Sequence, residues 1–195
     1  MGGSISNTLS DGSGILPFMQ QNKLHWIQTM PCFANLTASQ LDLIAHKVQL
    51  FTYKRDEFII QEGTIGRLFG ILVKGKVEIS AMGPNMTSIV LCTQEEGFYF
   101  GEAAIIGNTS TTASIQATES CSVLALTGKD LQELTDQYPD VKESLMYTAS
   151  LRLKKNLLTI PLFSRMKFLL EKKKYFKMLG AFDLLSTLFE VRSLE

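Results

Sequence analysis

Residues 97–117 read GFYFGEAAIIGNTSTTASIQA, and the order of textures in this stretch decides the fold. Three aromatic residues, Phe98, Tyr99 and Phe100, have strand propensity. Gly101 and Glu102 follow, then a short apolar turn at 103–106, a polar loop at 107–112 and a return strand beginning at Ala113. Gly101 lets the backbone approach a ligand closely, and the turn after it points unpaired N–H groups outward. Glu102 can accept hydrogen bonds from a vicinal hydroxyl such as that of a ribose. The stretch is an anion cradle beside a hydroxyl acceptor; taken alone, it also fits a bulge glycine followed by a surface glutamate.

Working outward, residues 49–126 keep this texture. Short β-branched and aromatic runs at 58–60, 68–73, 77–80, 88–91, 113–117 and 122–126 alternate with glycines, and strands at roughly ten-residue spacing predict an antiparallel roll or barrel. Residues 15–48 are helical in pattern on both sides of Pro31, with Thr37 or Ser39 as the cap of the second helix. Helix returns at Gly128, and Val141, Leu145, Ala149 and Leu153 form an apolar stripe along a longer helix. The order helices, strands, helices predicts an α+β chain, an antiparallel β-roll of about eight strands, jelly-roll-like, flanked by N- and C-terminal helices. The Gly- and Ser-rich segment 1–14 is expected to be disordered. A weak repeat sets residues 30–36 and 41–48 against 160–166 and 182–189. The expected domains are thus 15–158 and, over 159–195, a linker and the opening helix of a truncated second copy.

Composition narrows the function. With 45% hydrophobic residues and balanced totals of 19 basic and 19 acidic side chains, the chain can bury a core, and no nucleic acid is expected as partner. The balance is uneven along the chain. Residues 1–150 hold nine basic and fifteen acidic side chains, whereas 151–179 hold nine basic and one acidic. Cys32, Cys92 and Cys121 lack zinc-ligand spacing and read as small buried hydrophobes of a reducing, cytoplasmic compartment. His25 and His46 are isolated, no nucleophile–base pair stands out, and no catalytic or metal residue is assigned.

Phe100-Gly101-Glu102-Ala103-Ala104-Ile105-Ile106 resembles the phosphate-binding cassette of the cyclic-nucleotide-binding domain family, in which Phe-Gly-Glu-x-Ala-Leu-Ile precedes a loop and Arg-(Ala or Thr)-Ala. Glu62-Gly63 and the run from Phe69 to Gly75 and Val77 resemble the family's upstream signature. The likeness spans roughly 31–158, and the tandem regulatory domains of cGMP- and cAMP-dependent protein kinases are similar. It implies a non-enzymatic module without a resident cofactor. Its ligand would be cGMP or cAMP, held by Phe100, Gly101, Glu102, Ala103, Thr111, Thr112 and Ala113. The partner would be a kinase domain or catalytic subunit. Tyr147, Leu151 and Leu153 are candidates for the lid over the base.

One departure stands out: the place of the family arginine falls on Thr111. A guanidinium grips a phosphate with permanent charge and paired hydrogen bonds, and losing it costs on the order of 3–5 kcal/mol. With Glu102 retained, the pocket is expected to be net negative and cyclic-nucleotide affinity weak. Thr112 resembles cGMP-selective members. A neutral purine nucleoside, or no ligand in a purely structural module, are the alternatives. Finally, Met1-Gly-Gly-Ser-Ile-Ser6 fits the myristoylation pattern with Gly2 as acceptor. One acyl chain holds a membrane only marginally, so the basic block at 152–177 is the expected second contact with a membrane surface.

Overall fold

The computed structural model describes residues 15–82 and 87–159. Two helices, α1 (Ile15–Gln28) and α2 (Ala38–Lys47), flank a 3-10 turn at Pro31–Phe33 and lead into the strands. Thr37 resolves the choice of cap: its hydroxyl accepts from the Gln40 amide while the Gln40 side chain accepts from the Thr37 amide at 2.7 Å. This reciprocal pair satisfies two donors that the first turn leaves open.

Eight strands form two four-stranded sheets. They are β1 (Gln49–Tyr53), β2 (Phe58–Ile60), β3 (Leu68–Lys74), β4 (Val77–Met82), β5 (Ser88–Gln94), β6 (Tyr99–Phe100), β7 (Ser114–Ala117) and β8 (Cys121–Thr127). One sheet has the order β1-β8-β3-β6 and the other β2-β7-β4-β5, every pairing antiparallel. Between β6 and β7 lies the short helix α3 (Glu102–Ile106), and after β8 come α4 (Gly128–Gln137) and α5 (Pro139–Thr159). The expected β-roll with flanking helices is present. β1 begins at Gln49, where the sequence leaves its helical pattern, and is a strand that the short runs from 58 onward do not include.

Alternation of side chains along a strand explains the two cores. On β8, Cys121, Val123 and Ala125 face the second sheet, where they meet Val77, Ile79 and Ala117. Leu124 and Leu126 face the other way and join Phe69, Ile71, Leu131, Val141 and Leu145 in a core between the sheet and the helices. β3 and β8 are therefore covered on both sides, which is why their sequences are almost continuously apolar. Gly70 sits where three strands converge: a Cβ there would meet Val123 at 2.8 Å and the Phe100 ring at 3.2 Å.

The buried stripe of α5 is as expected for Val141, Leu145 and Ala149. Gly2, the segment 1–14, the repeat at 160–194, and all of the basic block beyond Thr159 lie outside the described residues. Leu145 is completely buried in the helical core. Leu145→Ala should lower unfolding stability by about 2–5 kcal/mol, the range for removing a buried leucine side chain, as read from denaturant titration.

Candidate functional site

β6 ends against a left-handed glycine. Gly101 has φ +92°, and a Cβ at that position would collide with the Leu68 carbonyl oxygen of β3. Only glycine lets the chain turn so tightly from β6 into α3. The turn swings Glu102 inward, and its side chain is 5% exposed. Burial pushes the Glu102 carboxyl above its ordinary range, and the nearby Arg152 guanidinium partly opposes that rise.

Arg152 comes from α5. Its Nη1 donates to the Tyr99 carbonyl oxygen at 2.6 Å and lies 3.4 Å from Glu102 Oε1. The guanidinium carbon stands 4.3 Å from the centre of the Tyr99 ring and 4.8 Å from that of Phe98, so the charge rests on two aromatic faces. Tyr99 is itself fixed: its ring packs edge-on against Phe69, which meets Phe33 in the same way, and its hydroxyl donates to Thr148 of α5 at 3.2 Å. Beside this cluster, burial pushes the Cys32 thiol up to about 12, so it is a packing group at neutral pH.

Phe98, Glu102 and Arg152 border an open cavity of about 720 Å³. Phe100, Gly101, Glu102, Ala103, Thr111, Thr112 and Ala113, all singled out from sequence, line it together. Phe98, Cys92, Ala149, Arg152 and Lys155 line it as well and were missed. Phe98 stacks on Phe100 at 5.7 Å. Arg152 carried one signal in the sequence, its place three residues after Ala149 on the buried stripe of α5.

Three sequence expectations need correction. Thr111 does not offer its hydroxyl to the cavity. The residue is buried, and its Oγ1 donates to the Gln61 carbonyl oxygen at 2.7 Å, while its amide donates to the Thr64 carbonyl oxygen at 2.8 Å. Its hydroxyl ties the cassette loop to the β2–β3 turn. Nor does Glu102 leave the pocket net negative at its centre, because Arg152 pairs with it and burial favours the protonated carboxyl. Tyr147 and Leu151 are not lid residues in this arrangement: they are 67% and 49% exposed and do not border the cavity, and the side chain of Leu153 lies outside the described residues. The α5 face that meets the cavity carries Ala149, Arg152 and Lys155. Thr112 borders the cavity with its hydroxyl unbonded among the described residues. Among those residues no group of three potential metal ligands occurs, and no helix is long and apolar enough to cross a membrane.

Residues 50–138 match the family model described as the cyclic nucleotide-binding domain. The potassium/sodium hyperpolarization-activated cyclic nucleotide-gated channel 4 of Oryctolagus cuniculus is 27% identical over 127 residues, which is 65% of this chain and 10% of the channel. The chain thus spans about a tenth of the length of that channel. Among solved structures, the regulatory domain of Toxoplasma gondii PKA with cAMP is similar at a TM-score of 0.63 and 21% identity, covering 69% of this chain and 51% of that one. The regulatory subunit of a cAMP-independent protein kinase A from Trypanosoma cruzi bound to guanosine is similar at a TM-score of 0.55 and 19% identity, covering 72% and 52%. At these identities the structural likenesses establish the fold.

A raised carboxyl pKa sets a sign for stability. Folding holds the Glu102 proton more tightly than the unfolded chain does, so this stabilising contribution is present at low pH and is lost as pH rises from the ordinary carboxylate range. Glu102→Gln, neutral at every pH, should therefore gain stability relative to wild type as pH rises from about 4 toward 7. Melting temperatures of both proteins across that range test this; a difference independent of pH would contradict it.

Proposed function

Residues 50–138 form a domain of the cyclic nucleotide-binding family, and from that premise we propose that this chain is a sensing module that binds a purine cyclic nucleotide, cGMP ahead of cAMP. The segment is regulatory and is not an enzyme. One observation carries the reading: the buried Glu102 and the α5 residues Ala149, Arg152 and Lys155 border the same cavity. A ligand whose ribose hydroxyl takes Glu102 as acceptor necessarily acts on the partner that Glu102 holds on α5, so binding and movement of α5 are coupled. The preference for cGMP rests on Thr112, whose unbonded hydroxyl borders the cavity and suits a guanine amino group. A kinase domain or catalytic subunit is the proposed effector, by analogy with the kinase regulatory subunits whose fold is similar.

A neutral purine nucleoside is the second reading. It is favoured by the placement of Thr111, which gives the cassette neither a cation nor a free hydroxyl. The Trypanosoma cruzi regulatory subunit with guanosine is a protein of the same fold in complex with such a ligand.

Titration calorimetry with cGMP, cAMP, guanosine and inosine separates these readings. Heat from cGMP above cAMP supports the first, heat from nucleosides alone supports the second, and no heat from any of the four leaves a structural module. Thr111→Arg should strengthen cyclic-nucleotide binding by about a hundred- to a thousandfold, the worth of one buried charge-assisted contact. The same change removes the bond to Gln61 and should lower stability by about 1 kcal/mol.

The chain is proposed to be cytoplasmic, with acylated Gly2 as a weak membrane tether. Co-expressed with an N-myristoyltransferase, wild type should partition partly to membranes and Gly2→Ala should not; equal partitioning would remove the tether.

A further inference from the structure

Loss of the cassette arginine leaves a question of charge: a cyclic phosphate entering this cavity needs a cation. We propose that Arg152 of α5 is that cation, and that it grips the ligand phosphate in place of a cassette residue. The proposal rests on the nucleotide-binding reading of the same cavity and names the residue that decides between anionic and neutral ligands.

Four observations carry it. Arg152 borders the cavity together with Gly101, Thr112 and Ala113, so its charge lies in the space that a ligand on the cassette would share. Its side chain is 30% exposed, enclosed by protein yet open to that space. Only Nη1 is engaged, with Tyr99 and Glu102, and the other guanidinium nitrogens make no hydrogen bond among the described residues. The guanidinium also lies over Phe98 and Tyr99, which fixes its plane without using any N–H donor.

Glu102 is the facing carboxylate, held toward its neutral form by burial. Glu95 and Glu96 line the rim; Glu95 pairs with Lys76 at 2.9 Å, and Glu96 is exposed. Lys155, exposed on the next turn of α5, adds a second positive charge at the mouth. An anion in the cavity therefore meets a partly dehydrated guanidinium whose spare donors match two phosphate oxygens. When a ribose hydroxyl takes up Glu102, the Nη1 hydrogen that faces Glu102 becomes available as well, while the bond from Nη1 to the Tyr99 carbonyl is kept.

The test is calorimetry on the full chain with cGMP and guanosine, comparing wild type, Arg152→Lys, Arg152→Ala and Arg152→Ala combined with Thr111→Arg. Arg152→Ala should weaken cGMP by at least about tenfold while guanosine changes by less than about twofold. Arg152→Lys should fall between, and Thr111→Arg should restore cGMP binding in the Arg152→Ala background. Because Arg152→Ala leaves Glu102 without its partner, Glu102→Gln and Glu102→Gln/Arg152→Ala give the same comparison with no buried carboxylate. Equal loss of cGMP and guanosine would overturn the proposal and make Arg152 a positioning residue. Unchanged or tighter cGMP binding would overturn it and make Arg152 a plug. Wild type that binds guanosine but not cGMP overturns this inference and leaves the cavity a ligand site. Wild type that binds neither overturns the nucleotide-binding reading itself.

Discussion

The architecture turns on one buried carboxyl group and the guanidinium beside it. A carboxylate that is 5% exposed is costly to ionise away from water unless a cation and hydrogen bonds meet it. Here the cation is delivered by a helix about fifty positions downstream, and its strongest hydrogen bond goes to the Tyr99 carbonyl of β6. Each part of that triangle is anchored separately. Tyr99 is wedged against Phe69, Glu102 is aimed by the left-handed Gly101, and α5 is seated by Val141, Leu145 and Ala149. The last strand before the cassette, the cassette and the C-terminal helix therefore share one electrostatic contact. Any ligand that reaches Glu102 must bargain with Arg152.

The two cores divide the labour around that contact. The inter-sheet core makes β3 and β8 a stiff central pair, and the outer core lays α2, α4 and α5 on the back of the same two strands. α2 and α4 are joined further by Lys47, which meets Asp130 at 2.8 Å and Glu133 at 3.0 Å; these pairs are exposed and contribute little to stability. The C-terminal part of α5 borders the cavity through Ala149, Arg152 and Lys155.

Much of this was legible in the sequence for identifiable reasons. Period-two alternation with glycine punctuation reports sheet faces directly, so most strands and the α+β order could be read, and the stretch 97–117 carries its turn, helix and loop in consecutive residues. What escaped were facts that depend on the third dimension. Thr111 reads as a hydroxyl offered to a ligand, yet Gln61 lies fifty residues upstream and claims it. Arg152 reads as the first member of a basic block, and its place three residues after Ala149 is a sign too weak to set it apart from a solvated arginine. Of the lid candidates, Tyr147 and Leu151 lie on the solvent side of α5, each two residues from Ala149, and the cavity is met by Ala149, Arg152 and Lys155 at steps of three.

The place of Arg152 bears on how the module works. A guanidinium at position 111 would ride on the roll, anchored to β2 and β3 through the same loop that Thr111 now stitches with bonds to Gln61 and Thr64. It would bind the phosphate without moving, and α5 would have to learn of the ligand through packing alone. With the charge on Arg152, the contact that supplies affinity is itself a contact to α5. The ligand's phosphate and Glu102 then compete for one guanidinium, and the position of the helix depends on which of them holds it. Affinity falls, because part of the binding free energy goes into parting Arg152 from Glu102. Response is gained in the same step, since the differential contact that drives the helix is the contact that recognises the anion. Weak binding and strong coupling are in this geometry two consequences of moving one positive charge from the loop to the helix.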